Sequence, residues 1–232
     1  MTHAEYSAHL EVVHGGLAQA NPLTIRRYVQ SHIFDGAFGV KGQPHPAFFG
    51  RDSVAELHFD DLASLAETFG HDYTRDVIVP DGPLFADLLS TVTMIADEDI
   101  VVEPTKAKDA IKIMMYHHGR VPGGAFAQGW AAAEDAALTQ TPAFRDVLVG
   151  HVRTNPIHVE PEAGTGGADH WGGAEMPVFD GVTSFWVPSE DCLPSFRSFE
   201  DCFDSLIDRD KHLSFFVYAR EKVIIDDSNN RL

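Results

Sequence analysis

Histidine is the first feature of this sequence that could do chemistry. There are 13 of them in 232 residues, and imidazole is the side chain best suited to moving a proton near neutral pH. In the segment IRRYVQSHIF (25–34), alternation puts Tyr28, Gln30 and His32 on one face and Val29, Ser31 and Ile33 on the other. Three consecutive polar groups on one face of an inner strand are costly unless they bond something. They either line a polar cavity or form an ordinary solvent-facing side. His14 shares a helical face with Tyr6, Leu10 and Leu17. It is either a core-edge histidine bonded to a backbone carbonyl or an acid/base group reaching a pocket. In VAELHF, Val54, Glu56 and His58 share a face. A carboxylate beside an imidazole raises its pKa and fixes its tautomer, so Glu56 and His58 form an acid/base pair or a structural ion pair. His151 and Arg153 share a strand face and could hold an anionic group.

Metal binding is the competing use of so many histidines. No H-x-x-x-H or H-E-x-x-H spacing occurs. His117 and His118 are adjacent, so on a strand they point to opposite faces. His151, His158 and His170 could gather around a Gly-rich loop. A lone histidine would suffice for haem, which the sequence leaves open. No G-x-S-x-G, G-x-G-x-x-G or catalytic cysteine context is present.

The elements that must position these groups repeat. SVAELHFDDLASLAETF (53–69) matches GVTSFWVPSEDCLPSFRSF (181–199), each an alternating strand, an acidic turn and an amphipathic helix. STVTMIADEDIVVE (90–103) matches LSFFVYAREKVIID (213–226). The helical face of Tyr6, Leu10, His14 and Leu17 has a counterpart in Phe126, Trp130, Glu134 and Leu138. The second copy therefore reads strand (110–117), helix (124–138), strand (146–155), strand (181–187), helix (189–203), strand (213–225), a ferredoxin-like split βαβ unit. The expected fold is α+β: two tandem ferredoxin-like modules, 1–103 and 110–232, joined by a linker at 104–109, their sheets packed face to face as a dimeric α+β barrel. The first copy begins at its helix and lacks an opening strand. Its start lies upstream, or its sheet has three strands, or another chain covers the edge, which if bare is a pairing liability. His14 corresponds to Glu134, Tyr28 to His151, His32 to Asn155, Glu56 to Ser184 and His58 to Trp186, so one pocket is expected to work and the other to be degenerate. Two long Gly- and Pro-rich loops, 35–52 and 158–180, are expected near the site.

Composition narrows the partners. With 17 Lys+Arg against 35 Asp+Glu, the formal charge is −18, which repels phosphate backbones and anionic lipid. Nucleic acid and membrane are excluded as expected partners. Cys192 and Cys202 do not form a C-x-x-C pair, and the N-terminus carries no signal pattern. The expected compartment is the cytoplasm.

The segments MTHAEYSAHLEVVHGGLAQ, RRYVQSHIF, SVAELHFDDLASL and VPDGPLFADLLSTVTMIADEDIVV together resemble the EthD family of dimeric α+β barrel proteins. The family pattern is a helix histidine, a Tyr-x-Gln-x-His strand, an Ala-Glu-Leu-Trp-Phe strand and an Asp…Phe stretch. His58 stands where the family carries Trp, whereas Trp186 keeps it in the second unit, which resembles the family more weakly. The resemblance implies cofactor-free chemistry on a small cyclic or aromatic molecule, as in methylmuconolactone isomerases and fungal polyketide dehydratases or decarboxylases. It implies that His14 and Tyr28 line the pocket, with His32 following on the same strand face. The expected activity is thus a lyase or isomerase with His14, Tyr28 and His32 as catalytic residues and Gln30, Glu56, His58, His151, Arg153 and Trp186 as substrate-binding residues. No cofactor or metal is expected, and a homodimer is possible. The alternative is a non-catalytic small-molecule-binding accessory protein of an oxidative pathway.

Overall fold

The computed structural model describes residues 1–38, 52–88, 91–105, 109–121, 124–157 and 179–227. Most of the two long loops, with His158 and His170, lies outside the described residues. The chain opens with α1 (His3–Ala8), a π-helical turn (His9–His14) and α2 (Gly15–Ala20), run together as one rod. Thr2 and Glu5 start it as a reciprocal capping box, which satisfies two of the orphan N–H groups of the first turn. Then come β1 (Arg27–Phe38), β2 (Ser53–His58), α3 (Leu62–Gly70), a short π-helical and 3₁₀ passage (Thr74–Ile78, Val79–Asp81), α4 (Gly82–Phe85) and β3 (Ala96–Val102). The C-terminal half contributes β4 (Ile111–His117), α5 (Ala125–Gln140), α6 (Pro142–Arg145), β5 (Gly150–Pro156), β6 (Gly181–Val187), α7 (Leu193–Leu206) and β7 (Phe215–Asp226).

The seven strands form one curled antiparallel sheet in the order β2-β1-β7-β4-β6-β5-β3. This corrects the expectation of two separate sheets stacked face to face. The halves meet edge to edge: β7 is hydrogen-bonded to both β4 and β1, and β3 leaves its own half to pair with β5. Sharing ladders satisfies backbone groups that two separate sheets would leave at four open edges.

Register decides which side each residue faces. Val29 lies opposite Glu56, Ser31 opposite Val54 and Glu221, Lys112 opposite Ala219 and Trp186, and Met114 opposite Val217 and Ser184. These residues share the inner, concave face. Its packed part is Ile33, Met114, Phe179, Val182, Phe215, Val217 and Ala219. The outer face of the C-terminal half carries Ile111, Ile113, Met115, Phe185 and Phe216 under α5, α6 and α7. There Phe144, Phe196, Phe199 and Phe203 are fully buried; Phe199 and Phe203 stack, and the other contacts among them and with Phe185 and Phe216 are edge-on or tilted. Truncating one such ring to alanine costs about 3–5 kcal/mol, so this side is the stable scaffold.

Candidate functional site

A cavity of about 1120 Å³ lies between the opening helices, β2, the Thr74–Leu88 passage and the inner face of the sheet. Leu10, Phe69, Phe85, Met94, Met114 and Phe179 contribute apolar walls, while His14, Tyr28, Glu56 and His58 are polar lining groups. An apolar cavity with a few converging polar groups is the usual form of a small-molecule site.

His14 is buried, and its ring is held by a carboxylate that the sequence reading did not assign. Its Nδ1 donates to Oδ2 of Asp81 at 2.9 Å, while His9 Nε2 donates to Oδ1 of the same residue at 2.9 Å. Asp81 is itself buried. The π-helical turn explains how two histidines five residues apart share one acceptor. In an α-helix they would point about 140° apart around the axis; i→i+5 hydrogen bonding brings them to nearly the same side. Phe85 closes over the cluster, stacked on His9 at 4.8 Å and tilted against His14 at 5.2 Å. Burial lowers the His14 pKa, and the hydrogen bond and charge of Asp81 only partly offset that. The lowered pKa favours the neutral ring, with its proton on Nδ1 facing the carboxylate.

Tyr28 comes from the outer, helix-facing side of β1, and so do Gln30 and His32. These three therefore face the opening helices, away from the concave face. Gln30 is fully buried, and its amide N–H₂ donates to the Leu10 carbonyl at 2.8 Å and the Tyr28 hydroxyl oxygen at 2.9 Å. Its carbonyl oxygen lies 3.2 Å from His32 Nε2. Burial pushes the Tyr28 phenol up to about 12. At neutral pH it is a hydrogen-bond donor and cannot serve as a base. His14 and Tyr28 thus meet at the cavity, whereas Gln30 and half-buried His32 stand behind Tyr28 and do not line it.

Glu56 and His58 also line the cavity, on the inner face, but with separate partners. Both oxygens of Glu56 accept from Lys112 Nζ, at 2.7 and 2.6 Å. Lys112 also donates to Glu221 at 3.1 Å, Trp186 Nε1 donates to Glu221 at 2.7 Å, and Ser31 donates to Glu56 at 3.2 Å. The ammonium sits 4.7 Å from the Trp186 ring centroid. Burial opposes both charges of the central pair, but each partner outweighs it for the other: the Glu56 pKa is lowered and that of Lys112 is raised. His58 Nδ1 meets Glu98 Oε2 at 3.4 Å. Glu56 and His58 therefore bond different partners, and Trp186 sits in the Lys112 cluster, away from the cavity lining.

His151 and Arg153 do face an anion, which belongs to the chain itself. Glu134, 1 % exposed, accepts from His151 Nε2 at 2.7 Å and from Arg153 Nε at 2.6 Å on one oxygen, and from the Thr183 hydroxyl on the other. Thr183 in turn accepts from His117 Nε2 at 2.9 Å. This network lies under α5, outside the cavity. Of the residues that reasoning from sequence missed, only Asp81 left a signal, as the acid of the Asp…Phe stretch. Lys112 in IKIMMYH reads as the solvent side of an alternating strand, and nothing in the sequence reports that its face is covered. Among the described residues, no group of three or more His, Cys, Asp or Glu side chains is placed to hold a metal ion.

The fold and cavity define an α+β protein whose single curled sheet carries an apolar chamber with a buried His–Asp couple on its wall. Residues 1–89 match the family model described as the EthD domain. Among solved structures, the chain is similar to one described as "putative monooxygenase from Lactobacillus acidophilus NCFM", at 10% identity, with 97% of this chain and 89% of that chain covered and a TM-score of 0.47. No curated protein matches the chain. No helix among the described residues is long and apolar enough to cross a membrane.

Proposed function

We propose that the protein is a cofactor-independent lyase or isomerase that moves a proton on a small hydrophobic or aromatic molecule. The observation that carries this reading is the neutral His14 ring, oriented by Asp81, on the wall of an apolar cavity that also holds the Tyr28 hydroxyl. His14 takes a proton through Nε2 from a carbon next to a carbonyl or lactone. Tyr28, fully protonated, donates a hydrogen bond to the oxygen on which charge develops. Returning the proton to a different atom completes an isomerisation; giving it to a β-hydroxyl, which leaves as water as the carbon–carbon double bond forms, completes a dehydration. The strand order of the C-terminal half, β7-β4-β6-β5, is 4-1-3-2 within its own β-α-β-β-α-β run, which supports the reading of two tandem ferredoxin-like modules.

The test is a panel of unsaturated lactones and β-hydroxy ketones, followed by ultraviolet absorbance and by deuterium uptake from heavy water. His14→Ala should lower conversion by about 10²–10⁴-fold with the fold intact, the usual contribution of a positioned proton-transfer group. Asp81→Asn should lower kcat with little change in KM. Equal conversion by His14→Ala would refute the assignment. Tight binding by the parent with neither product nor deuterium uptake over hours would identify a carrier.

A further inference from the structure

Asp81 serves two histidines, and the proposed chemistry uses one of them. Oδ2 accepts from His14 Nδ1 and Oδ1 from His9 Nε2, both at 2.9 Å, so both oxygens are committed and the carboxylate is held against rotation. The two rings differ in access. The side chains of His14 and Asp81 keep 11% and 8% of their exposure, whereas that of His9 keeps 19%. His9 is therefore the solvent-side member of the three, and Phe85, stacked on it at 4.8 Å, fixes the plane of its ring. Around this turn the remaining titratable groups are engaged elsewhere. On the same rod, Glu11 pairs with Lys222 of β7 at 3.1 Å, Tyr6 bonds Ser53 of β2 at 2.7 Å, and His3 pairs with Asp52 at 2.6 Å. Tyr28 of β1 is a protonated phenol and His32 lies against Gln30. Arg75 of the Thr74–Ile78 turn pairs with Asp72 and Asp76, and Asp87, beyond α4, belongs to the cavity lining. Among the described groups, the charges that act on His14 are those of Asp81 and His9.

We propose that His9 is a positioning residue for His14 that acts through the shared carboxylate: it clamps Oδ1 and, by taking up or giving up its own proton at the solvent side, sets how much of the Asp81 charge is left for His14. The inference rests on the reading of His14 as the working base and adds a control on it. With His9 neutral, Asp81 faces His14 with its full charge, and a proton arriving on His14 completes a neutral ion pair. With His9 protonated, that pair already exists on the other side of the carboxylate. A second proton on His14 would then leave a net positive charge in a buried cluster. Groups coupled in this way titrate as a pair, in two macroscopic steps, and not as two independent rings. His14 is the weaker base while His9 is charged, which agrees with the lowering that the His9 charge exerts on it. As pH rises and His9 gives up its proton, His14 gains base strength. The π-helical turn between them is the device that makes this possible, since it brings both rings to one carboxylate.

The test is an NMR titration of the imidazole rings in the whole chain. In the parent, the His14 curve should show two inflections, one of them where the His9 ring itself titrates. His9→Gln keeps an N–H donor within reach of Oδ1 but carries no charge. It should leave a single-proton His14 curve with its midpoint raised by roughly half to one pH unit. The acid limb of kcat/KM should move up with it, opposite to the effect of Asp81→Asn. His3→Gln, on the same rod but paired with Asp52, should leave the His14 curve as it is in the parent. A single-proton His14 curve in the parent, a His14 midpoint that stays or falls in His9→Gln, or an equal rise in His3→Gln overturns the inference. The titration is read without turnover. Coupled rings with unchanged conversion by His14→Ala would sink the proposed chemistry and leave the coupling standing; uncoupled rings with conversion lost in His14→Ala would do the reverse.

Discussion

Replacing Lys112 by methionine isolates the energetics of the inner-face charge cluster. Lys112 is 2% exposed, and its side chain neutralises Glu56 and Glu221, whose side chains retain 20% and 21% exposure. Methionine keeps most of the aliphatic stem and its contact with Trp186, so the main loss is the positive charge. Removing one member of a buried pair typically costs about 3–5 kcal/mol; because both carboxylates keep some water, about 3 kcal/mol is expected. For a chain of this size each kcal/mol moves Tm by about 2–4 °C, so Tm should fall by about 6–12 °C at pH 7. The pH dependence fixes the cause. Glu56 has a lowered folded pKa, so its contribution is complete above the ordinary value of 4.5 and is lost as pH falls through the folded pKa below it. Lys112 has a raised folded pKa, so its contribution is complete below the ordinary 10.5 and is lost only as pH rises through the folded value above it. Both are intact at neutrality. In the methionine variant burial acts on Glu56 unopposed by Lys112, the carboxyl takes up a proton more readily, and the gap from the parent should narrow from pH 7 to pH 5. Calorimetric melts across that range, with Lys112→Met/Glu56→Gln/Glu221→Gln alongside, are the assay. The triple variant should recover much of the loss. A single variant that melts within about 1 °C of the parent at pH 7, or a gap that widens on acidification, would refute the reasoning.

Two further outcomes are expected. If neutral His14 is the working base, the acid limb of kcat/KM should lie below the ordinary imidazole value of 6.5, because burial lowers its pKa; Asp81→Asn removes the carboxylate charge that raises it and should move the limb further down. Gly181→Ala would place its Cβ 2.7 Å from the Trp130 ring, and such overpacking in a filled core costs about 1–3 kcal/mol, measurable by denaturant unfolding with an unchanged m-value.

How far the sequence went can be judged residue by residue. Strands with strict alternation were legible: β6 occupies 181–187 and β2 begins at Ser53, as read. The helix face of Phe126, Trp130, Glu134 and Leu138 is buried as a unit. His14 and Tyr28 both line the cavity. What alternation cannot supply is which face is inner. It grouped Tyr28, Gln30 and His32 correctly, yet they pack under the opening helices, because β1 presents Val29, Ser31 and Ile33 to the concave side. Partners distant in sequence were equally hidden. Glu56 and Lys112, or His14 and Asp81, are joined by a register and a π-turn that no local pattern reports. The edge-to-edge union of the halves lay beyond periodicity for the same reason, since it depends on which edges find each other.

The place of β7 has a consequence for how the chain is made. β7 follows the other six described strands in the chain, so it leaves the ribosome after them, yet it sits between β1 and β4. Until it emerges, β1 has only β2 beside it, and a lone hairpin is marginal in water. Translation stopped before Phe215 would therefore yield no smaller working domain, only two sheet fragments with exposed seams. The sheet is joined late, when β7 zips β1 and β2 to the strands that follow them.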